Sequence, residues 1–592
     1  MADEQDTSLF PSLDAMPSAE DVQAWTEVML RAQTMLAEHA VRMASAPAAV
    51  PDLGQLFDPA RWAALPGMAA MTQAMASGWA QGLETMQKLA GGDLTALTPP
   101  APPPGDKRFA APEWSANPVL AILRQSYAAV ADQMLGLADT VDGIDPAAKA
   151  KLRFATQTLI DAMAPTNLAL TNPQVVERAL ATRGQSLLKG LEHLLADMAR
   201  GQMTHVDRSA FTIGDNIAAT PGKVVHETPL YQLIHYAPTT ATVRKTPLIV
   251  FPPWINRFYI LDLNPAKSFV KYCVDNGLSL FMVSWKSADA SMADVVWDDY
   301  IAAQVDAIDT VRTRLEVPSV HCIGYCVAGT TLAATLAMLA ARGEADRVAS
   351  ATFFTAQVDF ELAGDLKLFV DDGQLALLDQ LSASGFLDGR YMAATFNMLR
   401  GRDLIWNYVV NNYLLGSDYP AFDLLYWNGD TTNLPAKWHR QYLTDLYRDN
   451  RLVVPGSLSA HGVPIDLRKI AVPAYVQAGR EDHIAPAESV WRIMHHLSGP
   501  KTFLLAGSGH IAGVVNPPAA QKYQYWTGDS DAASLADFVA GAAETKGSWW
   551  PHWLAWLNSH NDGDVAAKGA RVPGGKGNPA IEDAPGRYVR MP

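Results

Sequence analysis

VHCIGYCVAGTTLAATLAMLAA, residues 320–341, carries an apolar run straight into Gly324-Tyr325-Cys326-Val327-Ala328-Gly329 and then into a stretch rich in alanine and leucine. The first part has the composition of a buried strand and the last part that of a helix. Small residues two positions either side of Cys326 suit a sharp strand-to-helix elbow, where a larger side chain would collide with the neighbouring backbone. Such an elbow lifts the cysteine side chain to the top of a sheet. It also leaves the backbone N–H of Val327 at a helix N-terminus, where it can stabilise an oxyanion and lower the thiol pKa. Cys322, inside the strand, reads as an inert buried cysteine.

The same texture extends on both sides of the elbow. Short apolar runs occur at 247–251 (PLIVF), 278–285 (LSLFMVSW), 348–356 (VASATFFTA), 472–479 (VPAYVQAG) and 502–507 (TFLLAG). Strands apolar along their whole length are covered on both faces, as in a parallel sheet flanked by helices. A helix carrying Trp297, Ile301, Val305, Ile308 and Leu315 on one side lies between two of them. The β-then-α repetition predicts a doubly wound α/β domain. Between Ala356 and Val472 the rhythm is interrupted by more than a hundred aromatic-rich residues, which predicts a helical cap over the carboxyl edge of the sheet.

Two further loops follow strands in this order. The strand ending at Gly479 leads into Arg480-Glu481-Asp482-His483, and the one ending at Gly507 into Ser508-Gly509-His510. Nucleophile, acid and histidine in that chain order, each past a strand's carboxyl end, is the α/β-hydrolase arrangement. His510 would take the thiol proton and Asp482 would orient and stabilise the imidazolium. Glu481 and His483 are the local rivals, and alternation along the chain points them away from Asp482. A second oxyanion donor is expected from the loop Phe251-Pro252-Pro253-Trp254-Ile255-Asn256. Neither proline has an N–H, so Trp254 is the first residue able to donate; the competing reading packs its ring into the core.

The chain has 592 residues, of which 49% are hydrophobic and 18% charged, enough to bury a large core. Its formal charge of −15 argues against a nucleic-acid scaffold, whose footprint is basic. It also requires that any phosphate contact be local. Three cysteines, Cys273, Cys322 and Cys326, cannot make a disulfide framework. The start, MADEQDTSLF, is acidic where a signal peptide would be basic, and the uncharged stretch 63–83 is too weakly apolar for a transmembrane helix, so a cytoplasmic location is expected. No motif suggests zinc or nucleotide phosphate binding, and no metal or cofactor is expected.

Four zones are expected: a helical N-terminal extension (1–97), a proline-rich linker (98–113), a helical N-terminal domain (114–206) and an α/β catalytic domain (207–592) with its cap at about 358–445. Trp25, Met29 and Met35 form a stripe expected to pack against the chain's own helices. Trp549, Trp550, Trp553 and Trp556 recur at helical spacing and predict a packed helix face. The tail from Asn558 to Pro592, rich in Gly, Pro and charge, is expected to be loosely ordered except for its last residues.

Together FPPWINRFYILDL (251–263), GYCVAG, FDLLYWNGDTTNLP (422–435), REDHIAP (480–486), GHIAGVVNPP (509–518) and GSWWPHWLAWL (547–557) resemble a class I polyhydroxyalkanoate synthase of the α/β-hydrolase superfamily, from about Phe109 onward. The resemblance implies that Cys326 bears the acyl group, with His510 as base and Asp482 as the third member. It implies short-chain (R)-3-hydroxyacyl-CoA substrates, a growing polyester chain, a homodimer, granule-associated protein partners and residence at the surface of cytoplasmic polyester granules. Coenzyme A enters there as part of the substrate. Ala328 stands where relatives commonly have glycine, and Ala487 where they have tryptophan. Two rivals carry different expectations. A cysteine-dependent hydrolase, an acyl-CoA thioesterase or lactone hydrolase, would use the same triad and release free hydroxy acid. A non-catalytic granule-surface protein would release no CoA.

Overall fold

The computed structural model describes residues 18–45, 80, 106–141 and 143–592. Most of the N-terminal extension, the stretch 63–83 apart from residue 80, and the proline-rich linker up to residue 105 lie outside the described residues. The described chain divides into two compact units, one formed by the N-terminal part up to His205 with Ala394–Pro420, the other by Val206–Ala393 with Ala421–Pro592.

In the first unit three helices start from an identical local device. Asn117, Asp145 and Asn172 cap α2 (Pro118–Thr140), α3 (Pro146–Ala162) and α4 (Pro173–Ala181), each side chain accepting two backbone N–H bonds, and each is followed by proline as the first helical residue. Proline is suited there because its missing N–H would have had no helical partner. Helix α1 (Ala19–Ser45) precedes them and α5 (Gln185–Arg200) follows, ending on Gly201 in the left-handed conformation. Trp114, Tyr127, Val130, Met134, Leu152 and Ile160 make the buried core. Trp25 of α1 lies against Gly184, where a Cβ would come within 2.7 Å of its ring, whereas Met29 is 59% exposed. Residues 394–420, part of the expected cap insertion, pack here: Arg402 pairs with Asp161 at 2.7 Å and the Tyr413 hydroxyl donates to Asp197 at 2.6 Å.

The second unit is built on an eleven-stranded sheet among the described residues. In chain order its strands are β1 (Gly222–Glu227), β2 (Tyr231–Tyr236), β3 (Leu248–Phe251), β4 (Leu280–Trp285), β5 (Val320–Tyr325) and β6 (Val348–Phe354). They continue with β7 (Ala474–Gly479), β8 (Lys501–Ala506), β9 (Gln524–Thr527), β10 (Ala543–Lys546) and β11 (Glu582–Asp583). Their spatial order is β10-β9-β8-β7-β6-β5-β3-β4-β2-β1-β11. Strands β3 to β8 run parallel, and the antiparallel strands flank them on both edges. The six apolar runs read from sequence are these six parallel strands. Helix α6 (Trp297–Leu315) buries Tyr300, Ile301, Ile308 and Val311, and α7 (Val327–Ala341) is buried along nearly its whole length.

The C-terminal tail departs from expectation. Rather than lying loose, it pairs β11 with β1, and Asp564–Ala566 with Thr242–Arg244. Arg257 donates to the carbonyls of Tyr588 and Met591, and Asn578 is fully buried. Its polar and glycine-rich composition is consumed by turns and side-chain bonds to backbone rather than left to solvent. No helix among the described residues is long and apolar enough to cross a membrane.

Candidate active site

Strand β5 ends at Tyr325 and α7 begins at Val327, so Cys326 alone makes the turn, with φ 53° and ψ −127°. For a residue with a side chain this is a strained conformation, of the kind that persists only where surrounding packing enforces it. That packing depends on the two glycines. A Cβ on Gly324 would lie 2.5 Å from the Gly329 Cα, and one on Gly329 would lie 2.4 Å from the Ala356 Cβ. Ala328 fits with its side chain fully buried, and its carbonyl accepts from Gln304 Nε2 at 3.0 Å. Cys326 is half-buried, while Cys273 and Cys322 are fully enclosed and burial pushes both thiols up.

Strands β7 and β8 are adjacent and parallel, which brings the loops after Gly479 and Ala506 together. His510 Nδ1 lies 2.7 Å from Asp482 Oδ2. The other carboxylate oxygen, Oδ1, accepts from the N–H groups of Ile484 and Ala485 at 2.9 Å each. These bonds fix the carboxylate plane. Glu481, the rival, is exposed. The Cys326 sulfur is close enough to act on the His510 imidazole. Burial disfavours the imidazolium, but the Asp482 carboxylate and then the Cys326 sulfur more than offset it, holding His510 well above its ordinary value. The structure therefore pairs His510 with Asp482 and places Cys326 close to that pair.

Phe251, the last residue of β3, is paired with Gly324 of β5, so the loop Pro252-Pro253-Trp254 leaves the sheet beside the elbow. The Trp254 ring is buried and stacks on Tyr300 at a centroid distance of 3.9 Å. Its carbonyl accepts from Thr432 Oγ1 at 2.6 Å. Neither the Trp254 N–H nor the Val327 N–H donates to an acceptor among the described residues. Ala487 lines a depression of about 470 Å³ with Arg480, Leu505 and Val539.

Other groups shape the site without a motif to announce them. The Tyr325 hydroxyl donates to the His510 carbonyl at 3.1 Å. On α8 (Trp550–Asn558) and just before it, the indole N–H groups of Trp549 and Trp550 donate to the carbonyls of Gly513 and Val514 at 2.7 and 2.9 Å. The tryptophan run is thus a packed face that also ties down the loop carrying His510. From the insertion, Tyr442 and Tyr447 lie in a π-helical turn (Tyr442–Arg448), a geometry frequent at functional sites. Burial pushes both phenols up, and the nearby Cys326 sulfur adds to the effect. A tyrosine inside a cap of unknown course carries no spacing signal, which is why sequence reasoning did not find them.

Family comparison bears on this geometry. A model described as Poly-beta-hydroxybutyrate polymerase (PhaC) N-terminus matches residues 105–273, and one described as alpha/beta hydrolase fold matches 247–517. A poly(3-hydroxyalkanoate) polymerase subunit PhaC from Rhizobium meliloti (strain 1021) is 45% identical over 514 residues, 86% of this chain and 83% of that one. A poly(3-hydroxyalkanoate) polymerase from Methylorubrum extorquens is 44% identical over 545 residues, 90% of this chain and 88% of that one. The PhaC subunit of Cupriavidus necator is 43% identical over 495 residues, covering 82% and 83%. With an α/β-hydrolase sheet, a strained cysteine elbow and relatives this close along most of its length, the chain belongs to the poly(3-hydroxyalkanoate) polymerase family of acyl-transferring enzymes.

Proposed function

We propose that the chain polymerises (R)-3-hydroxyacyl-CoA, of short chain length such as 3-hydroxybutyryl-CoA, into polyhydroxyalkanoate through an acyl-Cys326 intermediate. The observation that supports this reading is His510 Nδ1 paired with Asp482 Oδ2 at 2.7 Å, with the strained Cys326 elbow close to the imidazole. His510 takes the Cys326 proton, and the thiolate attacks the thioester carbonyl carbon. The oxyanion is received by the Val327 N–H, at the positive end of α7, and by the Trp254 N–H. Collapse of the tetrahedral adduct breaks the carbon–sulfur bond to CoA, whose thiolate is protonated by His510. One thioester replaces another, so the acyl group stays activated.

A 3-hydroxyl then gives its proton to His510 and attacks the acyl-cysteine, and Cys326 leaves as the thiol. Thioester becomes oxoester, which drives elongation. Water in place of that hydroxyl would end the chain as free acid, and the aromatic cap residues around Cys326, buried Tyr442 and Tyr447 among them, act as the shield. In this reading the enzyme works as a homodimer on the surface of polyester granules.

The test gives purified protein (R)-3-hydroxybutyryl-CoA and follows both liberated thiol and the form of the product. Insoluble polyester with CoA release supports the proposal, free hydroxy acid indicates a hydrolase, and Cys326→Ala must abolish CoA release. Retained turnover in that variant, with the fold intact, refutes the assignment.

A further inference from the structure

The sheet ends at β10, which is hydrogen-bonded to β9 alone. All four of its residues, Ala543-Glu544-Thr545-Lys546, are exposed. The ladder fixes which way each backbone group points. Gln524 gives its carbonyl to the Gly507 N–H, on the β8 side, at 2.8 Å, and Tyr523 accepts from the Gly547 N–H, on the β10 side, at 2.9 Å. Alternation along β9 therefore turns Tyr525 and Thr527 toward β10, where their partners Thr545 and Ala543 turn inward to meet them. The N–H and C=O groups of Glu544 and Lys546 point outward, and none of the four bonds to another of the described residues.

The opposite end of the sheet is closed differently: β11 has two residues, and its acids are paired with Lys223 and Arg587. Neither Glu544 nor Lys546 has an ion-pair partner among the described residues. An open edge is a template for another strand, and charges of one sign along it would block pairing. β10 carries one charge of each sign, two residues apart and so on one face. When such a strand meets its own copy antiparallel, the outward-pointing residues must face one another, since only they can form the bonded pairs. A register centred on Glu544 or on Lys546 sets like charges opposite each other, which is destabilising. The register centred on Thr545 sets Glu544 of each copy opposite Lys546 of the other, with all four outward groups bonded.

We infer that β10 is a self-association edge, at which two copies of this chain pair antiparallel about Thr545 and continue one sheet into the other. The contact is isologous, each Glu544 meeting the other copy's Lys546. A four-residue edge is a small interface, so the association is weak and depends on protein concentration. Thr545 and its counterpart form the non-bonded pair on the two-fold axis, with Cα atoms about 4.5 Å apart, a separation that a disulfide can span. The contact does not depend on the acyl-transfer reading.

The test captures the pair covalently. Full-length Thr545→Cys is oxidised with copper phenanthroline, and the cross-linked peptides are identified by mass spectrometry. A disulfide joining position 545 of two chains, formed faster at higher protein concentration, is the expected result. Glu544→Pro in the same background removes an outward N–H without touching the ladder to β9, and Glu544→Lys sets lysine opposite lysine; each should slow capture about tenfold. Combining Glu544→Lys with Lys546→Glu restores opposite charges across the axis and should recover the rate. Thermal melting is the fold control, and if Glu544→Pro melts early the charge exchange alone decides. No cross-link between two positions 545, or one whose rate ignores both the proline and the order of the charges, overturns the inference.

Discussion

Asp482→Asn tests the electrostatics of the proposed triad at one atom. In the structure Asp482 Oδ1 accepts two backbone N–H bonds, from Ile484 and Ala485, so an asparagine carbonyl must take that place to avoid facing two donors. Its NH2 then points at His510 Nδ1, now 2.7 Å from a carboxylate oxygen. Two donors cannot share that contact, so the imidazole has to shift its proton to Nε2. In that tautomer the nitrogen facing Cys326 carries a hydrogen and cannot accept the thiol proton. The same exchange in other nucleophile–histidine–acid sites lowers turnover by about 10⁴-fold, about 5.4 kcal/mol of transition-state stabilisation. Stopped-flow CoA release from (R)-3-hydroxybutyryl-CoA near neutral pH measures it, with thermal melting as the fold control. A variant within tenfold of the parent would refute the argument that the carboxylate sets the tautomer and supports the imidazolium.

The same pair predicts a pH signature. Because His510 is held above its ordinary value, its contribution to stability is complete below about pH 6.5 and is lost as pH rises through the folded value, so the melting difference between the chain and Asp482→Asn should be largest below about 6.5 and shrink above it. A difference that grows with pH contradicts this. Gly329→Ala places a methyl 2.4 Å from the Ala356 Cβ and 2.7 Å from the Gly324 carbonyl, and should destabilise by about 1–3 kcal/mol in urea unfolding. Trp549→Phe removes the donor to the Gly513 carbonyl, leaving a buried acceptor unpaired; it should cost about 1–3 kcal/mol in urea unfolding and several-fold in kcat/KM by loosening the His510 loop.

Much of the catalytic unit was legible because parallel strands covered on both faces leave continuous apolar runs. The six inner strands read from sequence are those of the sheet, and chain order alone placed Cys326, Asp482 and His510 at one edge. The flanking antiparallel strands were not read. β1 and β2 mix charged, histidine and apolar residues, and β11 has only two residues, so none carries the inner-strand pattern. The tail was misjudged because Gly, Pro and charge signal disorder by composition, whereas Asn578 and the Arg257 contacts to Tyr588 and Met591 order it through side-chain bonds. Tyr442 and Tyr447 were invisible for another reason: they lie within the insertion, where no spacing ties them to the elbow.

The central claim is that Cys326 carries the growing acyl group, and mapping the modified residue tests it most directly. The protein is mixed with (R)-3-hydroxybutyryl-CoA, quenched in acid within the first turnovers, digested and analysed by mass spectrometry. Hydroxyacyl mass on the peptide containing Cys326, absent in Asp482→Asn at the same time point, is the predicted result. Acyl mass on Cys273 or Cys322, or none on any cysteine while CoA is being released, would contradict the account.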